Sequence, residues 1–174
     1  MSLTYRDATL DDLPAIVGIY NSTIASRQVT ADLDPVSIDS RLAWFHSHGP
    51  HGRPLWVVEE AGEVIAWLSF SDFYGRPAYA RTVEVSIYLH DRARGKGLGG
   101  QLLQEALDKA PSLNVDTVLG FVFGHNEPSM KLFARFGFTV WGKLPRVAVL
   151  DGVERDLVIL GLRLDGARSP GAAA

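Results

Sequence analysis

Arg92-Ala93-Arg94-Gly95-Lys96-Gly97-Leu98-Gly99-Gly100 is the stretch on which the fold of this chain turns. Before it, Arg81 to His90 alternates in character, with Val83, Val85, Ile87 and Leu89 on one face and Thr82, Glu84, Ser86 and Tyr88 on the other. Period two predicts a strand. After it, Leu98, Leu102, Leu103, Ala106 and Leu107 recur at helical spacing and predict a helix from Leu98 to Ala110. The stretch is therefore a glycine-rich turn feeding a helix N-terminus. Glycines let successive backbone N–H groups converge on one point, and the helix end adds partial positive charge. Arg92, Arg94 and Lys96 add full charges. Such a loop can cradle a pyrophosphate; the plainer alternative is a tight turn with solvated basic residues.

Two familiar phosphate sites do not match. Gly95, Gly97 and Gly100 fit the dinucleotide fingerprint G-x-G-x-x-G, but that fold needs an acidic residue at the end of the next strand. Here Asp116 begins the next strand, and no second βαβ half follows. A P-loop is excluded because no Gly-Lys-Ser/Thr occurs.

Working outward, Thr4 to Ala8 predicts a short strand, and Asp11 or Asp12 caps a helix that carries Pro14 in its first turn. Ser37 to His48 predicts a second helix. Leu55 to Glu60 and Glu63 to Phe70 form a hairpin pattern around Ala61-Gly62. Val115 to Phe123 is a continuous apolar run, the mark of a strand buried on both faces. Asn126 to Phe136 predicts a helix with Gly137 as its C′ residue. Phe138 to Leu150 and Val153 to Leu162 pair through Asp151-Gly152, a type I′ hairpin signal. The order β α α β β β α β α β β predicts an α+β domain over residues 1–164, built on one central mixed sheet. Residues 165–174 are expected to be a disordered tail.

Composition narrows the function. The chain has 174 residues, 47% of them hydrophobic and 21% charged, which is globular rather than disordered. A net charge of -3 gives no basic balance to draw it to nucleic acid or acidic lipid. With no cysteine, a thiol nucleophile, a disulfide and a zinc-thiolate site are excluded. No apolar run is long enough for a membrane span, and a cytoplasmic protein is the expectation. His46, His48 and His51 lack a carboxylate framework, and no metal is expected.

Arg94-x-x-Gly97-x-Gly99 also fits R/Q-x-x-G-x-G/A, and with it the chain resembles a GNAT-superfamily N-acetyltransferase. The resemblance extends through Ile19-Tyr20-Asn21, Arg41-Leu42-Ala43-Trp44-Phe45, Thr82 to His90, and Asn126-Glu127-Pro128-Ser129 to Gly137-Phe138. These stretches are similar to the phosphinothricin / methionine sulfoximine N-acetyltransferase branch. The resemblance implies a mixed, mostly antiparallel sheet with helices on both faces. It also implies acetyl-CoA as cosubstrate, a small-molecule amine as acceptor, and a homodimer. Ile87, Tyr88 and Leu89 would offer backbone groups to the pantetheine arm, and Arg94, Gly95, Lys96, Gly97, Leu98, Gly99 and Gly100 would hold the pyrophosphate. Asn126 and Ser129 would contact the cosubstrate near the thioester; read as residues, they are helix caps first. Glu84 would act as base, directly or through water, because an amine must lose a proton to attack a thioester. Its alternative is a structural partner for Arg81. The implied reaction is direct attack in a ternary complex, with central-strand N–H groups polarising the carbonyl.

The chain departs from that branch at several points. Phe133 stands where relatives carry His or, in the wider superfamily, Tyr, a proton donor to the leaving thiolate. The substrate loop reads Phe73-Tyr74-Gly75-Arg76 and then Tyr79-Ala80-Arg81. Tyr74, Arg76, Arg81 and Glu84 are its candidate substrate contacts, an arginine fork being the natural clamp for a carboxylate. His125 could supply the missing proton. Trp44 and Phe45 read as core or as a dimer surface. A CoA-binding domain with weak or no turnover, and an enzyme acting on peptide or protein amines, stay open.

Overall fold

The computed structural model describes residues 2–164, and the expected tail at 165–174 lies outside the described residues. The elements run β1 (Leu3–Asp7), α1 (Leu13–Ile24), α2 (Leu42–His46), β2 (Leu55–Glu60), β3 (Glu63–Asp72), β4 (Thr82–Leu89), α3 (Leu98–Lys109), β5 (Thr117–Phe123), α4 (Glu127–Arg135), β6 (Thr139–Leu150) and β7 (Val153–Arg163). This is the element order expected from the sequence.

The strands form one seven-stranded sheet in the order β1-β2-β3-β4-β5-β7-β6. Every neighbouring pair is antiparallel except β4 and β5. Alternation along β4 divides its side chains as the period requires. Val83 and Val85 join Leu98, Leu102, Leu103, Ala106 and Phe133 in the larger core, which seats α3 and α4 on one face. Tyr88 packs on the other face with Ile16, Ile19 and Trp67, where α1 and α2 lie. Trp44 and Phe45 join that smaller cluster, with Trp44 edge-on to Trp67 at 5.5 Å between ring centres. They are core.

Turn chemistry held where backbone sign mattered. Asp151 and Gly152 both have positive φ, 51° and 78°, as a type I′ hairpin demands. Gly137 ends α4 with φ 86°.

Two helix starts differ from expectation. Asp12 does occupy the residue before α1, but its carboxylate turns back to accept the Thr9 N–H at 2.7 Å. Thr9 thus opens a capping box over a 3-10 turn, Leu10–Asp12, that precedes the helix. The helix expected over Ser37–His48 is shorter, a 3-10 turn at Asp39–Arg41 followed by α2. There the Ser37 hydroxyl oxygen accepts the Ser40 N–H at 3.2 Å, and the Ser40 hydroxyl donates to the Ser37 carbonyl at 2.7 Å. Local side-chain bonds of this kind compete with the helical ladder.

Candidate active site

Strand β4 is paired with β3 along its length, from Ala66↔Leu89 to Asp72↔Val83. Its other edge meets β5 only at Thr82↔Thr117, Val83↔Val118 and Glu84↔Leu119. Beyond Glu84 the two strands diverge, because β5 continues its full length beside β7. Backbone groups on that edge of β4, from Val85 to Leu89, therefore face an opening rather than a strand. The opening is a cavity of about 520 Å³, with Glu84 at the apex where the pairing stops.

Of the expected site residues, Glu84, Ile87, Tyr88, Leu89, Asn126 and Ser129 line this cavity together. Glu84 is half-buried, and loss of hydration pushes its carboxyl above the ordinary range. Among the described residues nothing donates a hydrogen bond to it. The structural alternative, a pair with Arg81, is not what forms: Arg81 is bound to Asp116 at 2.6 Å. Asn126 is buried, and its side-chain oxygen accepts the Ser129 N–H at 3.3 Å at the start of α4. It caps the helix and lines the cavity at once.

The glycine-rich loop leaves the end of β4 through a 3-10 turn, Asp91–Ala93, and enters α3. Its glycines divide in purpose. Gly95 and Gly97 have φ of 72° and 79°, which turns the chain without a side chain's strain. Gly99 and Gly100 instead face α4 and the residue after it: an added Cβ would lie at van der Waals distance from Leu132, 3.4 Å, and from Phe136, 3.5 Å. Leu98 is buried core. Arg92 pairs with Glu63, and Arg94 with Asp91 at 2.9 Å. Lys96 is exposed and, among the described residues, has no ion-pair partner.

The substrate-loop candidates are not gathered at the cavity by this chain. Tyr74 is 76% exposed and clusters with Phe73 and Tyr79. Arg76 is exposed beside it. Arg81 lies at the opposite end of β4 from the opening, held by Asp116. His125 is turned away too, with Nε2 2.8 Å from the Arg27 carbonyl. Phe133 lines the cavity as a buried apolar wall. Among the described residues no three His, Asp or Glu side chains converge to hold a metal.

Two contributors were not read from the sequence. Val29, Thr30 and Ala31, between α1 and α2, close the cavity from one side, and Val147 and Ala148 of β6 from another. Irregular pairing of β6 with β7 between Leu144 and Ala148, and a φ of 54° at Arg146, bring that strand inward. Tyr88 stacks on Trp67 at 4.6 Å and 21°, and burial pushes its phenol far up. On that face Tyr20 is bonded to Thr30 at 2.5 Å and to Asp32, which Arg41 also reaches at 3.1 Å.

Comparison with known proteins fits this geometry. The model of the acetyltransferase (GNAT) family matches residues 18–138. YwnH of Bacillus subtilis, provisionally named a phosphinothricin acetyltransferase, is 55% identical over 163 residues, covering 93% of this chain and 99% of its own. An L-methionine sulfoximine/L-methionine sulfone acetyltransferase of Pseudomonas paraeruginosa is 36% identical over 170 residues, covering 97% of this chain and 99% of its own. The crystal structure of a phosphinothricin acetyltransferase from Sinorhizobium meliloti in complex with acetyl-CoA superposes with a TM-score of 0.89 at 30% identity, covering 100% of this chain and 96% of that one.

Proposed function

Since the chain belongs to the acetyltransferase (GNAT) family, as an acetyl-CoA-dependent N-acetyltransferase, we propose that its acceptor is the primary amine of a small amino acid or analogue, of the phosphinothricin or methionine sulfoximine type. The observation that carries this reading is the parting of β4 and β5 at Glu84. It leaves an open strand edge leading to a desolvated carboxylate that has no hydrogen-bond partner among the described residues. Acetyl-CoA supplies the activated acyl group; the residues below would bind it and manage the proton.

Backbone groups from Val85 to Leu89 suit an extended arm that pairs as an added strand. Loop N–H groups around Gly95 and Gly97, with Lys96 beside them, suit the pyrophosphate. Glu84 would take the amine's proton, directly or through one water, and the loss of hydration that raises its pKa makes it a stronger base than an exposed carboxylate. Phe133 has no proton to give, so the leaving thiolate, with an ordinary pKa of about 8.5, would collect its proton from solvent.

A two-fold homodimer in the cytoplasm completes the proposal. Supporting the dimer, β6 is an edge strand that exposes Val140, Trp141, Val147 and Val149 at 59%, 48%, 57% and 58%.

CoA-thiol release should be followed with phosphinothricin, methionine sulfoximine, methionine sulfone, the common amino acids and a short peptide, with Glu84→Gln in parallel. Turnover on a free amino acid or analogue, lost in the variant, is the expected result. Preference for the peptide would move the acceptor to protein amines. Tight acetyl-CoA binding without turnover on any amine would overturn the enzyme reading.

A further inference from the structure

On the α1–α2 face of the sheet, Glu84 has a neighbour that leads away from the cavity. Ser71 of β3 stands directly opposite Glu84 in register. Residues so opposed share a face, with Cβ atoms about 4.5–5.5 Å apart. Ser71 Oγ in turn lies 3.4 Å from His48 Nε2. The other ring nitrogen, Nδ1, is 2.7 Å from the Trp44 carbonyl. Ser47 Oγ lies 3.3 Å from the same nitrogen, and the Phe70 carbonyl also faces the ring. A carbonyl only accepts, and the Trp44 contact is the shortest the ring makes, so we place the hydrogen on Nδ1 and leave Nε2 of the neutral ring as an acceptor. Burial holds this imidazole below its ordinary pKa, which keeps it neutral near pH 7. The Ser71 hydroxyl therefore donates to His48, and its lone pairs remain for the Glu84 side. An ionised Glu84 has no proton to offer them. A protonated Glu84 does.

We propose that Ser71 and His48 conduct away the proton that Glu84 takes from the substrate amine. The inference rests on Glu84 being the base. As the amine N–H bond breaks, an O–H bond forms on Glu84. That proton passes to Ser71 Oγ while the serine's own hydroxyl proton passes to His48 Nε2. The carboxylate is regenerated, and the neutral imidazole becomes an imidazolium that keeps its Nδ1–H on the Trp44 carbonyl. It then releases the extra proton to water. His48 faces Asp72, whose carboxylate favours the imidazolium and is itself bound by Arg53 at 2.6 Å. Glu84 faces Tyr88 along its own strand and the apolar Leu119 across β5, while Tyr20 of α1 approaches through Tyr88. Among the described residues no fixed cation near Glu84 competes for its charge, and the path gives the proton somewhere to go. Neither residue touches substrate; both position and move a proton through Glu84.

The test compares Ser71→Ala, Ser71→Thr, His48→Gln and Glu84→Gln in steady-state turnover with acetyl-CoA and methionine sulfoximine, or whichever amine the parent enzyme acetylates. Ser71→Ala and His48→Gln should lower kcat about tenfold, less than the roughly 10²–10⁴-fold expected for loss of the base. KM for acetyl-CoA should hold, the solvent deuterium isotope effect on kcat should rise, and Ser71→Thr, which keeps the hydroxyl, should retain the parent rate. An unchanged kcat and isotope effect in Ser71→Ala, beside an inactive Glu84→Gln, overturns the path and leaves the base standing. Equal losses in the Ala and Thr variants, with no isotope effect, assign Ser71 to packing and also overturn it. An active Glu84→Gln removes the base and the path together.

Discussion

The ring of Phe133 lies so close to Gly120 that a Cβ built on the glycine would sit 3.1 Å from the ring's Cε1 and Cζ atoms. Helix α4 reaches β5 at this point because Gly120 offers no side chain. Phe133 also meets Phe138 edge-on at 4.9 Å, which fixes the ring from the other side. Phe133 is thus held as core. Gly120→Ala should overpack this contact and cost about 1–3 kcal/mol, read as a lower midpoint in urea. Adding Phe133→Leu should recover part of the loss, so the pair couples in a double-mutant cycle. Strict additivity would place the damage elsewhere in β5.

Glu84 should cost the protein stability at the pH where it works. Its carboxyl is raised by burial, so the folded state holds that proton more tightly than the unfolded chain does. The contribution to stability is present at low pH and is lost as pH rises through the folded value. Glu84→Gln should therefore melt at a higher temperature than the parent at pH 7, while its turnover falls roughly 10²–10⁴-fold. The gap in melting temperature should close as pH approaches the ordinary carboxylate range. A variant less stable than the parent at pH 7 would point to a bond that Glu84 accepts.

Local signals carried most of the fold. Alternation from Thr82 to Leu89 named β4 and its faces, and Asp151-Gly152 named the β6–β7 turn. The short α2 and the backward-facing Asp12 escaped because hydroxyl and carboxylate groups could bond the backbone in more than one way. The candidate site was legible where it lies on one continuous strand, β4, and at the start of α4. What stayed hidden was set by pairings between distant segments. Nothing in Thr117 to Phe123 announces that β5 leaves β4 after Glu84, or that Val29 to Ala31 and Val147 to Ala148 close the opening. The pairing of Arg81 with Asp116 was hidden for the same reason, since the two meet only where β4 and β5 run in parallel register.

The loop glycines should separate by function. Gly97 has φ 79° with nothing within 4 Å of a built Cβ, so Gly97→Ala strains the backbone without a clash. That conformation costs an L-residue about 1–2 kcal/mol. KM for acetyl-CoA should rise with kcat kept, the mark of lost binding rather than lost chemistry. Lys96→Ala should raise KM by roughly fivefold, about 1 kcal/mol, and the effect should shrink in high salt. Arg94→Ala should do less, because Asp91 already holds that charge at 2.9 Å. Equal effects for the two cations would mean that Arg94 leaves Asp91 when acetyl-CoA binds.

Asp12 ties β1, β2 and the start of α1, and its loss should be felt as a pH-dependent loss of stability. Arg6 reaches it twice, at 2.7 and 2.9 Å, while also holding Glu59 at 2.6 Å, and the Thr9 N–H adds a bond of 2.7 Å. Chiefly through Arg6, and against the desolvation of a buried carboxylate, these bonds pull the Asp12 pKa below its ordinary value. A lowered carboxyl stabilises the fold above the unfolded pKa, about 3.9, and that contribution is lost as pH falls through the folded value. Asp12→Asn should cost about 1–3 kcal/mol at pH 7 in urea unfolding, since charged hydrogen bonds are replaced by neutral ones. Below the folded pKa both proteins are neutral there, and the difference should disappear. A gap that persists in acid would assign the loss to the geometry of the Thr9 capping box rather than to charge.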